Sequence, residues 1–249
     1  MCLMDEMSHR GNFWTWSLVH TISLITLVVF FKVVYSGGRV INGWDQYQSL
    51  LVLGTGTLIG GLGSLTFFSF MYDFGQRIKD GDMDFRLTKP MDVHFLSAFH
   101  WVDMEDFVTV PNSLLLIGYA VWNLRPQNLW VNLVGYLFAL FLAMIILFSL
   151  LTLIQSLAFK YIKIDSVSNF YWSIVNISKY PAKAIKGLSL IGSTLLIPIA
   201  VISSLPAEIL FGRWDWTWIV GSAISATFIF FLSRKVFMSS LRYYSSASS

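Results

Sequence analysis

The chain has 249 residues, 55% of them hydrophobic and 12% charged, with mean hydropathy +0.64 and net charge +3. Soluble domains carry about 25% charged residues, so this composition excludes one and points to an all-α integral membrane protein. The lone cysteine, Cys2, excludes an internal disulfide.

The polar, acidic opening "MCLMDEMSH" has no basic stretch ahead of a short apolar core, so it does not read as a cleaved leader. Apolar stretches then follow at about 13–35, 47–71, 107–122, 129–159, 188–205 and 216–237. About 20 apolar residues cover the hydrocarbon layer. Helices are the default, because an open sheet would leave backbone groups unpaired in lipid. The expectation is therefore one transmembrane domain over 1–249, with six spans and a large loop at about 72–106. The third stretch is short and carries Pro111 and Asn112; the fourth is long enough to tilt. Residues 166–187, "SVSNFYWSIVNISKYPAKAIKG", are aromatic and only moderately apolar, and read as an interfacial helix ending near Pro181. "SSLPAEILFGRW", 203–214, reads as a short re-entrant or surface helix.

Lysine and arginine sort by side. Thirteen fall at the termini and in the loops after the second and fourth stretches, against Arg39, Arg125 and Arg213 opposite. The positive-inside rule then puts both termini and those loops in the cytoplasm. Trp122, Trp130, Trp214 and Trp216 mark the opposite interface as an aromatic belt.

In the second stretch, "GTGTLIGGLGS" lacks the Lys-Ser or Lys-Thr of a phosphate loop. Gly56 and Gly60 are one helical turn apart and Gly63 extends their face. Small residues so spaced let helix backbones approach closely, so the three are candidates for helix packing or for lining a pathway. The triplet Asp73–Gly75 imitates a kinase motif without its companions. "DGDMDF" opens like a calcium loop, but Phe85 stands where glycine is obligatory. His9, His20, His94 and His100 have no metal-ligand spacing. Ser64 with His100 is a weak imitation of an intramembrane protease pair, since His100 falls outside the spans. No catalytic or metal-ligating set emerges. No Asp, Glu or Arg sits at a span centre, which argues against a carrier with its own ion-coupling site. A hydrophobic or amphipathic cargo suits such walls.

Charge concentrates instead in "MYDFGQRIKDGDMDFRLTKP", 71–90. If the second helix continues into it, Phe74 and Ile78 share a face, with Arg77 and Asp80 beside them and Gly81 to stop the helix. That is an amphipathic element suited to a partner's groove.

The segment "RIKDGDMDFRLTKPMDVHFLSAF", with its Gly followed by a Leu and a basic-Pro pair, resembles the membrane subunits of bacterial ABC transporters of the type-2, exporter-like six-span class. The likeness resumes in "TLLIPIAVISSLPAEILFGR", 194–213, in the tail "RYYSSASS" and in Tyr180–Pro181. The resemblance implies a permease half without a nucleotide site or cofactor of its own. It pairs with a second permease subunit, identical or related, in the bacterial cytoplasmic (inner) membrane. A dimer of cytoplasmic ABC ATPases holds ATP and Mg beneath it, and nucleic acid has no part. The loop after the second span becomes the coupling helix, with Phe74, Arg77, Ile78, Asp80 and Gly81 at the ATPase contact. The competing reading is a membrane scaffold whose loop recruits a cytoplasmic protein without transport.

Overall fold

In the computed structural model, residues 10–38, 40–41, 43–72, 74–98, 105–157, 159, 167–180 and 202–243 are described. They form helices, with no strand among them. α1 (Arg10–Val34) leads to a tight turn in which Ile41 and Trp44 pair across Gly43, whose φ of 82° favours glycine. α2 (Gln46–Tyr72) then starts on a reciprocal cap. Asp45 Oδ1 accepts from the Gln48 amide at 2.8 Å, and Gln48 Oε1 accepts from the Asp45 amide at 3.3 Å. Two otherwise orphaned donors are satisfied in this way.

α2 is the axis of the bundle. Leu50, Leu51, Val52 and Leu53 are fully buried on all sides, as expected of a helix apolar all round. Three short helices follow: α3 (Phe74–Lys79), α4 (Asp82–Leu87) and α5 (Val93–Ala98). A 3₁₀ turn, Glu105–Val108, feeds α6 (Thr109–Leu124), which packs along α2. α7 (Leu129–Ser156) packs lengthwise against α10 (Trp216–Ser240), which is capped by Asp215 accepting from the amides of Thr217 and Trp218.

Among the described residues, four helices are long and apolar enough to cross a membrane: Trp14–Val34, Gln46–Phe67, Leu129–Ser156 and Trp216–Ser240. They coincide with the expected stretches 13–35, 47–71, 129–159 and 216–237. The expected 107–122 stretch appears as α6, whose 16 residues rise only ~24 Å. Most of the expected 188–205 stretch lies outside the described residues.

Residues 167–178 depart from the sequence expectation, whose predicted end near Pro181 lies outside the described residues. Instead of lying on a surface, α8 (Val167–Ser178) is inserted against α2, with Val167, Tyr171, Ile174, Val175 and Ser178 all buried. The apolar face taken for a lipid-facing one meets protein, because α2 offers it a smooth glycine surface.

α9 covers 202–210 and docks on α7. Its end is a Schellman cap: the Arg213 amide donates to Glu208 O at 2.8 Å and the Gly212 amide to Ile209 O at 3.0 Å, with Gly212 at φ 94°. Asn132 fixes this corner. Its amide accepts from Trp214 Nε1 at 2.8 Å and donates to Gln127 O at 3.0 Å. The Trp214 ring lies so close to Gly135 that a Cβ there would sit 2.4 Å from it.

Candidate functional site

Two places gather polar chemistry: the end of the bundle carrying α3, α4 and α5, and a small chamber beside the glycines of α2. At the first, the structure places Phe74 and Ile78 inside the chain, 1% and 7% exposed. The Phe74 ring meets Phe70 at 4.9 Å, Phe159 at 5.5 Å and Phe237 at 5.9 Å between centroids. This face of α3 is thus used to root the short helix on the protein's own core, which leaves neither side chain projecting as a knob. Arg77 is half-buried, and Asp80 is exposed and accepts from Gln76 Nε2 at 2.9 Å. Gly81, at φ 76°, turns the chain from α3 into α4.

α4 presents what α3 hides. Met83 is fully buried, and the buried Arg86 donates to Leu96 O at 2.6 Å, tying α4 to α5. Phe85 is 73% exposed, and Leu87 and Met91 stand outward with it. These three exposed apolar side chains stand beside the charged residues of 71–90. The exposed apolar side chains at this end thus lie one short helix later than Phe74 and Ile78.

Behind this end sits His94, on α5 and 3% exposed. Its ring is enclosed by Phe148 at 5.0 Å and Phe237 at 4.7 Å, and its Nε2 pairs with Thr152 Oγ1 at 3.0 Å. Burial pushes its pKa down to about 4; Asp92 opposes the shift and Arg234 adds to it. The side chain is therefore neutral at pH 7. An unfolded histidine titrates near 6.5, so below that pH an opened chain gains a proton that the folded one refuses. Stability is full above pH 6.5 and falls as the pH drops toward 4, by ~2 kcal/mol near pH 5. Thermal midpoints in detergent between about pH 7.5 and 5 should show this loss, and His94→Leu should flatten that part of the profile. An unchanged slope in the variant would remove His94 as its cause.

Gly56, Gly60 and Gly63 face α8. A Cβ on Gly60 would sit 2.6 Å from Val175 Cγ1, and one on Gly63 would sit 2.5 Å from the Tyr171 hydroxyl. On Gly56 it would meet backbone, 3.1 Å from Lys179 Cα and Ser178 O. Tyr171 OH donates to Gly60 O, satisfying a polar group at the close approach.

This packing carries Lys179 beside Gly56, ~15 Å along α2 from its first turn. From sequence Lys179 counted among the loop cations; the structure sets it next to the chamber. That space of about 60 Å³ is lined by His20, Thr57, Asn112, Trp172 and Lys179, among others. Asn112 Nδ2 donates to Thr21 Oγ1 at 2.9 Å, and Lys179 Nζ donates to Asn176 Oδ1 at 2.9 Å. The bundle thus holds a small, mostly apolar pocket to which α1, α2, α6 and α8 each contribute, with His20, Thr57, Asn112 and Lys179 bringing polar groups to its wall. Ser64 is buried on α2, and His100 lies outside the described residues.

Sequence reasoning missed Arg86 and His94 as buried polar groups and Lys179 as a half-buried one. Local spacing carried no signal for Arg86, followed at +3 and +4 by Lys89 and Pro90, or for His94, followed there by Ser97 and Ala98; for Lys179 the signal was the helix run that precedes it.

No curated protein and no solved structure matches the chain. The model of the ABC-2 family transporter protein matches residues 21–248, which take in the glycine face, the short helices and the α9 corner. The chain therefore belongs to the ABC-2 transporter family and is a multi-pass membrane transport protein of the permease kind, a subunit that works with an ABC ATPase.

Proposed function

We propose that this chain is the permease half of an ATP-driven exporter in a bacterial cytoplasmic membrane, moving a hydrophobic or amphipathic substrate. Six spans, with both termini and the α3–α5 end in the cytoplasm, follow from the positive-inside distribution. A second permease, identical or related, completes the pathway. A cytoplasmic ABC ATPase dimer supplies the nucleotide site with its ATP and Mg.

The observation that carries this reading is the outward display of Phe85, Leu87 and Met91 on elements rooted inward by Phe74, Ile78 and Arg86. A rooted element with exposed knobs can transmit a push, whereas a loose loop would absorb it. Phe74 and Ile78 then act in coupling by joining α3 to the core. Asp80 and Arg77 flank the contact, and Gly81 sets the angle between α3 and α4. ATP binding moves the permease only as far as the ATP-bound ATPase favours one of its states. Gly56, Gly60 and Gly63 let α8 lie close enough to α2 to bring Lys179 to the chamber wall, on the substrate route.

Purification of the permease with its ATPase, followed by measurement of ATP turnover in lipid, tests this reading. A stable complex whose turnover depends on the permease is expected. A complex that forms without nucleotide-dependent turnover would support a recruiting scaffold instead, and no complex at all would end both readings.

A further inference from the structure

A second cavity lies away from the chamber, between α7, α10 and α5, with a volume of about 620 Å³. That is within the ~300–1,000 Å³ of ordinary ligand pockets. Its walls are Phe67, Phe141, Met144, Ile145, Phe148 and Phe230. Phe141 is 62% exposed, so the slot opens on the apolar flank of the bundle, where a membrane protein meets lipid. At one end stands a charge. Arg234 is one helical turn beyond Phe230 on α10 and two beyond Thr227, and all three border the cavity.

The guanidinium donates to Asp92 Oδ2 at 2.6 Å, with the two side chains 46% and 30% exposed. An ion pair so exposed contributes little and rearranges readily. Arginine has five N–H donors, so Arg234 can hold Asp92 and a second anion together. Lys235 is the next residue and is exposed; His94, the other titratable group on the cavity wall, is neutral at pH 7. On the slot's own wall Arg234 and Asp92 balance, and the exposed Lys235 beside them adds one positive charge to the same end of α10.

We propose that this slot is a binding site for an anionic phospholipid, with one acyl chain among Phe67, Phe141, Phe148 and Phe230 and its phosphate on Arg234. The shape follows from the chemistry. An apolar trough ending in one guanidinium fits a molecule with a long chain and one anionic head. Basic pockets at membrane interfaces recruit such heads. Because Asp92 also caps α5 by accepting from the Phe95 amide at 3.0 Å, the head sits at the joint between the short helices and the last long helix. The inference rests only on the chain spanning a membrane, and its test needs no ATPase, so its failure and that of the exporter reading are separable.

The purified full chain is placed in phosphatidylcholine bilayers doped with phosphatidylglycerol that carries a diazirine in one acyl chain. After illumination, adducts are mapped by peptide mass. They should concentrate on Phe141, Met144, Ile145 and Phe230, above the level on the exposed Ile22, Ile25 and Val29 of α1, which samples bulk lipid. A phosphatidylcholine probe with the same chain should label the slot about fivefold less, the effect of one basic group near a headgroup. Met144→Trp should fill the slot and reduce labelling to the bulk level. Arg234→Gln should keep chain labelling but remove the preference for phosphatidylglycerol. Slot labelling at bulk level, or labelling indifferent to Met144→Trp, overturns the site. Equal labelling by both probes, or loss of the phosphatidylglycerol preference on adding glycerol phosphate, overturns the lipid-head assignment.

Discussion

Gly60→Leu is expected to force α8 away from α2 and to destabilise the protein by ~3 kcal/mol, the upper part of the usual overpacking range. The first added carbon already falls 2.6 Å from Val175 Cγ1, and three more follow it. Nothing nearby is the free end of a flexible chain, since Tyr171 and Leu147 close the next turn at Gly63. A milder pair of changes isolates the contact. Gly60→Ala should lower the thermal midpoint, and adding Val175→Ala should recover part of the loss, because it removes the atom in the way. Purely additive effects of the two substitutions, in a double-mutant cycle, would show that the approach of α8 at this point is not what Gly60 serves. Loss of the α2–α8 contact should also displace Lys179, so transport should fall along with stability.

Phe85→Asp carries the second large effect, and it should fall on assembly rather than folding. The ring is 73% exposed, so a carboxylate there stays solvated, and surface changes of this kind alter stability by no more than about 0.5 kcal/mol. At the centre of a contact with the ATPase it would cost at least ~2 kcal/mol, roughly a thirtyfold loss of affinity. Phe74→Ala should behave in the opposite way. Its ring is packed among Phe70, Phe159 and Phe237, and truncation of a buried phenylalanine costs ~3–5 kcal/mol. Thermal midpoints and pull-down of the ATPase, measured on both variants, separate the roles. Full ATPase binding by Phe85→Asp would move the contact elsewhere on the chain.

Much of this architecture is legible in the sequence, for reasons that also mark where reading stops. Long apolar runs can only be helices in lipid, so α1, α2, α7 and α10 announce themselves. The spacing of Gly56, Gly60 and Gly63 signals a close approach, but it carries no address for the helix that approaches. α8 has buried Val167, Tyr171, Ile174 and Val175 on one side and Asn169, Ser173 and Asn176 on the other. That pattern suits a membrane surface and a protein groove alike, and only the groove on α2 decides. Phe74 and Ile78 pose the same ambiguity. An apolar pair four residues apart states that a face is covered, and the aromatic neighbours that cover it come from Phe159 and Phe237, far along the chain. His94 finds Thr152 across 58 positions, a pairing no local spacing encodes.

α1 is sparsely attached. Only 11% of its apolar window is buried, and its described contacts with the bundle include the Asn112–Thr21 hydrogen bond, the stacking of Phe31 on Tyr180, Lys32 over the Tyr119 ring and, just past its end, the hydrogen bond between the Ser49 and Tyr35 hydroxyls. Local stability follows local burial, so the solvent around this helix supplies most of what keeps it in place. Extraction into harsh, short-chain detergent should therefore loosen it first. Its backbone amides should exchange with heavy water well before those of α2, while the rest of the bundle still reads as native.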